Sequence, residues 1–263
     1  MEPMTTIALR AARKAGELIV RASDELDQVE VRQKHVNDFV SDIDEQAEQE
    51  IIRALRRAYP DHAFLGEESG REGPEDAEYV WVIDPLDGTT NFIRGIPHYG
   101  VSIACLHNGR PEHAVIIDPV RREEFIASRG RGAQLNGRRI RVSKLDRLDG
   151  ALLGTGIPFK GHEDEKLPAF AESMSTLAGQ CAGIRRAGAA SLDLAYVAAG
   201  RLDAFWEVGL SIWDVAAGAL LVKEAGGLIT AIDGSDNYLE GGSLVCGNPK
   251  VFKAVLKATQ PLR

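Results

Sequence analysis

WVIDPLDGTTNF, residues 81–92, closes an apolar run on two aspartates, Asp84 and Asp87, three positions apart across Pro85. The run YVWVID (79–84) has the length and composition of a buried strand. Two like charges at its end repel one another, and burial makes each costlier. Something of opposite sign must compensate them. Pro85 presets φ at the second position of a tight turn, and Gly88 permits an unusual backbone angle. Such a turn can aim both carboxylates and the Leu86 carbonyl the same way. Hard oxygen ligands on a rigid turn suit Mg²⁺, with the Thr89 and Thr90 hydroxyls beside it. Alternatively, the two aspartates simply cap a following helix.

Other acids stand in comparable places. FLGEES (64–69) puts Glu67 and Glu68 directly after an apolar strand, and SIWDVAAG (211–218) puts Asp214 at the start of an apolar helix anchored by Trp213. FVSDIDEQ (39–46) puts Asp42 and Asp44 at another helix start. Each has a plain alternative: a solvated acid, a helix cap, or a first-turn partner of the helix dipole. Their joint occurrence favours a shared cleft over independent coincidences.

Outward from the motif, the N-terminal half reads as helix (6–22), short strand (29–32) and helix (42–59) ending near Pro60. Strands at 63–66 and 79–84 flank a polar loop rich in Gly and Glu. Residues 100–128 carry three strand-like runs joined by HNGR and DPVRR, and 132–143 adds a hairpin, so an antiparallel sheet is expected. From about residue 150 strands alternate with helices: strands near 151–157, 182–188, 202–208, 228–233 and 243–248, helices at 163–178, 189–200, 211–227 and 249–259. That alternation predicts a mixed sheet. The chain is therefore expected to be α/β (α+β), with an N-terminal half (1–150) built on the antiparallel sheet and a C-terminal half (151–263) built on the mixed sheet.

Bulk properties narrow the function. The 263 residues suffice for a real core, and 44% hydrophobic with 27% charged residues is ordinary for a globular protein. A net charge of −8 argues against a general nucleic-acid-binding surface. It does not exclude an anionic substrate, because bound cations can invert the local field. Cys105, Cys181 and Cys246 are odd in number and widely spaced, as expected for free thiols in a reducing cytoplasm. The first twenty residues read as an amphipathic helix, neither signal peptide nor membrane span. The histidines lack zinc spacing, and no H-C-x5-R pattern suggests a cysteine phosphatase. Trp81, Trp206 and Trp213 read as core or cleft-wall packing. Arg185, Arg186 and NGRRIRVS (136–143) read as solvated or interface surface.

WVIDPLDGTTNF, GEES and WDVAAGALLVKEAGG, in that order and separation and with Lys34 and Asp44 upstream, resemble the motifs of the inositol monophosphatase family of Mg²⁺-dependent, lithium-sensitive phosphatases. The resemblance covers nearly the whole chain. It implies a layered α/β/α/β/α sandwich of the type shared with fructose-1,6-bisphosphatases, often a homodimer. Glu67, Asp84 and the Leu86 carbonyl would hold one Mg²⁺. Asp84, Asp87 and Asp214 would hold a second, with Asp84 bridging, and a third, weaker ion would sit near Glu67. Thr89, with Asp44 behind it, would orient and help deprotonate the attacking water, with no phosphoenzyme. The Gly88 and Thr89 amides would meet the phosphate. Asp87, Gly188, Ala189, Ala190, Glu207 and Asp214 would contact the hydroxyls of a small phosphorylated polyol, with free amides offered by GAASLDLA (188–195). Residues 32–44, with Lys34, would form a mobile flap. Bacterial branches of the family also suggest a protein partner in the transcription machinery, with Arg185–Arg186 as its surface. The sequence leaves open other small phosphates, such as fructose 1,6-bisphosphate or a 3′-phosphonucleotide.

Overall fold

The computed structural model describes residues 2–26, 29–35, 38–158 and 164–263; for 33–35, 38–40 and 164 it describes the backbone alone. In chain order come helix α1 (Pro3–Ser23), the hairpin β1 (Val31–His35) and β2 (Asp38–Ser41), helix α2 (Asp42–Ala58), strands β3 (Ala63–Gly66), β4 (Gly70–Glu72) and β5 (Tyr79–Asp87), and a short helix α3 (Thr89–Ile93). Strands β6 (Gly100–His107), β7 (Arg110–Asp118), β8 (Glu123–Ser128), β9 (Gly132–Leu135) and β10 (Arg138–Arg139) follow. The C-terminal part runs β11 (Leu152–Thr155), α4 (Leu167–Ala178), β12 (Gly183–Arg185), α5 (Ala190–Ala198), β13 (Ala204–Val208), α6 (Ile212–Glu224), β14 (Leu228–Thr230), β15 (Ser243–Gly247) and α7 (Val251–Ala258).

Two sheets result. The first has eight strands in the order β10-β9-β8-β7-β6-β5-β3-β4, antiparallel except where β3 runs parallel to β5. The second has five, β12-β11-β13-β15-β14, with parallel pairing of β11 to β12 and β13 and antiparallel pairing elsewhere. This is the mixed sheet expected from the alternating half.

Strand alternation decides the layers. Along β5, Trp81 and Ile83 join a core with Ala12, Ala15 and Ile19 of α1 and Ile51 and Leu55 of α2, while Val82 between them faces α5 and α6. Along β13, Phe205 faces the same two helices from the other side. Ala204 and Trp206 instead meet Phe170 and Leu177 of α4 and Val251 and Val255 of α7. The order is thus helix pair, sheet, helix pair, sheet, helix pair: the α/β/α/β/α sandwich. Helix α6 lies between two sheets, which is why Val215 to Val222 are buried all round and its sequence shows little amphipathicity.

Four details depart from the sequence expectation. The short strand expected over 29–32 is instead the β1–β2 hairpin. The loop after GEES contains strand β4, paired with β3 across a tight connection. DGTTNF is not only a turn, because Thr89–Ile93 closes into one helical turn. The strand expected over 228–233 stops at Thr230, where Ala231 and Gly234 form a turn hydrogen bond. Among the described residues no helix is long and apolar enough to cross a membrane.

Candidate metal centre

The sheet ends on the motif through an irregularity. Strand β5 pairs in register with β6 up to Asp84↔Ser102, then resumes at Asp87↔Gly100, so Pro85 and Leu86 lie in a bulge. A bulge re-aims side chains, and it suits Pro85, which has no N–H to give to a ladder. Asp84 Oδ1 accepts the Leu86 amide at 3.0 Å and fixes the bend. Gly88 follows with φ +96°, left-handed, and a Cβ there would lie 3.1 Å from the His98 carbonyl and 3.2 Å from that of Gly188.

Helix α6 supplies the third acid. Asp214 is the third residue of its first turn and accepts the Ser211 amide at 2.6 Å through Oδ2, completing a capping box. Carboxylate oxygens of Asp84, Asp87 and Asp214 all lie within 4.8 Å of one another. Capping and clustering were alternatives in the sequence; in the structure Asp214 does both, because a carboxylate has two oxygens. Glu67 comes from the end of β3, where its amide bonds the Ile83 carbonyl at 3.1 Å, and its side chain hydrogen-bonds Asp84.

The electrostatics of this group are one-signed. Burial raises the Asp84 carboxyl well above the usual carboxylate range, and the charges of Glu67, Asp87 and Asp214 raise it further. Asp87 is pushed up to about 6 by burial, against hydrogen bonds from Ser191, Ala190 and Leu192 that favour its charge. Asp214 is raised by burial and by Asp87, with the Ser211 amide opposing. No ion pair joins Asp84, Asp87 or Asp214 to a described lysine or arginine. Clustered hard oxygen donors, two buried and one half-buried, without a counter-charge fit a divalent cation such as Mg²⁺.

Beside the cluster sits a second constellation. Asp44, 1% exposed, is the third residue of α2, and its Oδ2 accepts the Ser41 amide at 2.9 Å and the Ser41 hydroxyl at 2.5 Å. Its Oδ1 faces the Thr89 hydroxyl at 3.0 Å, which also lies 3.0 Å from the Leu86 carbonyl. One hydroxyl proton serves one of these acceptors at a time. Donation to Asp44 leaves the Thr89 oxygen as an acceptor toward the cleft.

Glu207 of β13 is buried, and its carboxyl is raised by burial first, then by Asp193, Asp214 and Asp87, with Arg186 opposing. A Cβ on Gly156 would collide with it, 1.6 Å from Oε1, so glycine at 156 makes room for this acid. Ala189 and Ala190 begin α5 but are buried at 1% and 8% exposure. The amides of GAASLDLA are not all free as expected, since that of Ser191 is spent on Asp87 at 2.7 Å.

Residues 1–262 match the family model described as the inositol monophosphatase family. The chain belongs to the inositol monophosphatase family. Nus factor SuhB of Pseudomonas aeruginosa is 62% identical over 263 residues, covering 99% of this chain and 97% of the relative. The extragenic suppressor protein suhB of Bartonella henselae is 40% identical, with TM-score 0.95 over 98% of this chain and 99% of that one. An inositol monophosphatase from Anabaena is 38% identical, with TM-score 0.84 over 97% and 94% of the two chains. Family membership makes this a phosphatase-family protein, and the sandwich is that family's fold.

Of the residues singled out in the sequence, the structure brings Glu67, Asp84, Asp87 and Asp214 together, with Leu86, Gly88, Thr89 and Asp44 adjoining. The Lys34 side chain, and Asn37 of the expected flap, lie outside the described residues. Four supporting residues escaped sequence reasoning. Glu48, buried in α2, accepts the Glu68 and Ser69 amides at 2.9 and 2.8 Å and so shapes the GEES turn. Asn91 donates to the His98 and Ala187 carbonyls at 2.7 and 2.9 Å. Asp193 is a buried acid behind Glu207, and Ser191 grips Asp87. Only Glu48 left a signal, an acid on the apolar side of a helix otherwise polar outward.

Proposed function

We propose that the protein is a Mg²⁺-dependent phosphate monoester hydrolase acting on myo-inositol monophosphate or a similar small polyol phosphate. What carries this reading is the pairing of Thr89 with Asp44 immediately beside the Asp84–Asp87–Asp214 cluster. Glu67, Asp84 and the Leu86 carbonyl would hold one ion, Asp84, Asp87 and Asp214 a second, with a third near Glu67. When bound, these ions supply the positive charge that a phosphate dianion and a departing alkoxide need, and they acidify water. Thr89 accepts a proton from the attacking water and passes its own to Asp44, whose buried carboxyl is raised and so able to hold it. The Gly88 and Thr89 amides receive the phosphate. Glu207 accepts hydroxyls of the polyol, with Gly188, Ala189 and Ala190 forming the wall beside it. Water attacks directly, so no phosphoenzyme forms.

Thr89→Ala is expected to lower kcat about a hundredfold with little change in KM, because the hydroxyl acts on the nucleophile and not on substrate binding. A large KM change with kcat intact would reassign Thr89 to binding. The test of the function itself is phosphate release from a panel of inositol, glycerol, sugar and nucleotide phosphates, with and without Mg²⁺. Turnover of none of them rejects the reading; preference for fructose 1,6-bisphosphate or a 3′-phosphonucleotide replaces the polyol.

The Nus factor name of the 62% identical relative favours a second reading, in which a cytoplasmic homodimer also binds the transcription machinery. Arg185 and Arg186, both exposed, are the candidate surface. An inactive Asp87→Asn protein that still restores growth to a strain lacking the gene would place the cellular role in binding. Failure to restore it would place that role in turnover.

A further inference from the structure

We propose that Ser191 is the positioning residue for Asp87, holding one carboxylate oxygen so that the other is presented to the cation. The proposal rests on Asp87 being a metal ligand, as in the reading above. Helix α5 begins at Ala190, and its N-cap, Ala189, has no side-chain oxygen for the unpaired amides of the first turn. The missing acceptor comes from 104 residues away. Asp87 Oδ2 accepts the Ser191 amide at 2.7 Å and the Ser191 hydroxyl at 2.5 Å, which uses both lone pairs of that oxygen. Asp87 thus caps a helix of the other half of the chain, and the helix in turn fixes the rotation of Asp87.

The grip is buried and doubled. Ser191 is 0% exposed, so water has no room to replace its hydroxyl. Asn91, on the helix that follows Gly88, donates to the Ala187 carbonyl and so ties the segment before α5 to the same loop. Without the hydroxyl, Asp87 keeps the backbone donors Ala190, Ser191 and Leu192 but loses its one side-chain, charge-assisted donor and one restraint on its rotation. Its Oδ1 is then less firmly aimed.

Titration of the metal-free protein with Mn²⁺ alone, followed by electron paramagnetic resonance, tests this. Ser191→Ala is expected to weaken Mn²⁺ binding about tenfold, or about 1.4 kcal/mol, while Ser191→Thr, which keeps the hydroxyl, stays within about threefold of wild type. The melting temperature of each metal-free variant shows that the fold survives. Unchanged affinity in Ser191→Ala, or equal loss in both variants, overturns the assignment to the hydroxyl. Failure of the wild-type protein to bind Mn²⁺ would instead reject the metal site itself.

Discussion

Asp84→Asn is expected to cut phosphate release about a thousandfold or more while making the metal-free protein harder to unfold. The two effects have opposite signs because the carboxylate is costly to the fold and necessary to the ion. Asp84 is 1% exposed, and its charge is opposed by burial and by Glu67, Asp87 and Asp214 together. Asparagine has nearly the same shape. Its oxygen can still accept the Leu86 amide that Asp84 accepts at 3.0 Å, and its nitrogen can donate to Glu67. The bend of β5 therefore survives, and repulsion is relieved. What is lost is the anionic oxygen that would bridge two cations, and several kcal/mol of transition-state stabilisation with it, each 1.36 kcal/mol being tenfold in rate. Phosphate release at saturating Mg²⁺ measures the first effect; thermal melting in chelator measures the second. Activity within tenfold of wild type would remove Asp84 from the bridging role, and a lower metal-free melting temperature would make it a structural acid.

The same two-sidedness explains what could be read before folding. Asp84, Asp87, Glu67 and Asp214 were legible because each is an acid abutting an apolar run, a placement that local physics disfavours. The eight-stranded sheet was legible because residues 100–128 hold three apolar runs punctuated by the turn chemistry of HNGR and DPVRR, and the five-stranded sheet because strands alternate with helices after residue 150. Ser191, Asn91 and Asp193 were not legible. A serine or asparagine near a helix start is ordinary, and only the approach of residues about a hundred positions away turns it into a grip. Strand β4 and helix α3 hid in polar stretches because three residues, or one helical turn, are too short for a period to show. A helix-start role and a place in the cleft looked like rival explanations of Asp44 and Asp214 in one dimension. In three, each carboxylate turns one oxygen to its own helix and one to the cleft.

The stabilisation that Mg²⁺ gives this protein is expected to grow with pH, from little near pH 4 to a large effect above pH 6. Asp87 ionises at about 6 in the metal-free fold, against about 3.9 for an aspartate in an unfolded chain. Between those values the native state still binds a proton that the unfolded state has released. Stability of the metal-free protein therefore falls as pH rises through that window, by about 3 kcal/mol from Asp87 alone. Asp84 and Asp214 are raised in the same direction, so they deepen the loss and extend it upward. His62, His98 and His113 pull the other way, because burial lowers them and the unfolded state takes up their protons first below about pH 6.5. None of the cluster's carboxylates is among the charges that shift those histidines, so the difference between the two melting curves is expected to report the carboxylates. Bound Mg²⁺ keeps the cluster ionised and cancels the repulsion, so the difference opens as protons leave. For a chain of this size about 3 kcal/mol corresponds to roughly 6–12 °C in melting temperature. Melting followed by circular dichroism at half-unit steps from pH 4 to 8, with Mg²⁺ or with chelator, measures it. A Mg²⁺ effect equal at pH 4.5 and 7.5 would show that Asp84, Asp87 and Asp214 do not hold the ion.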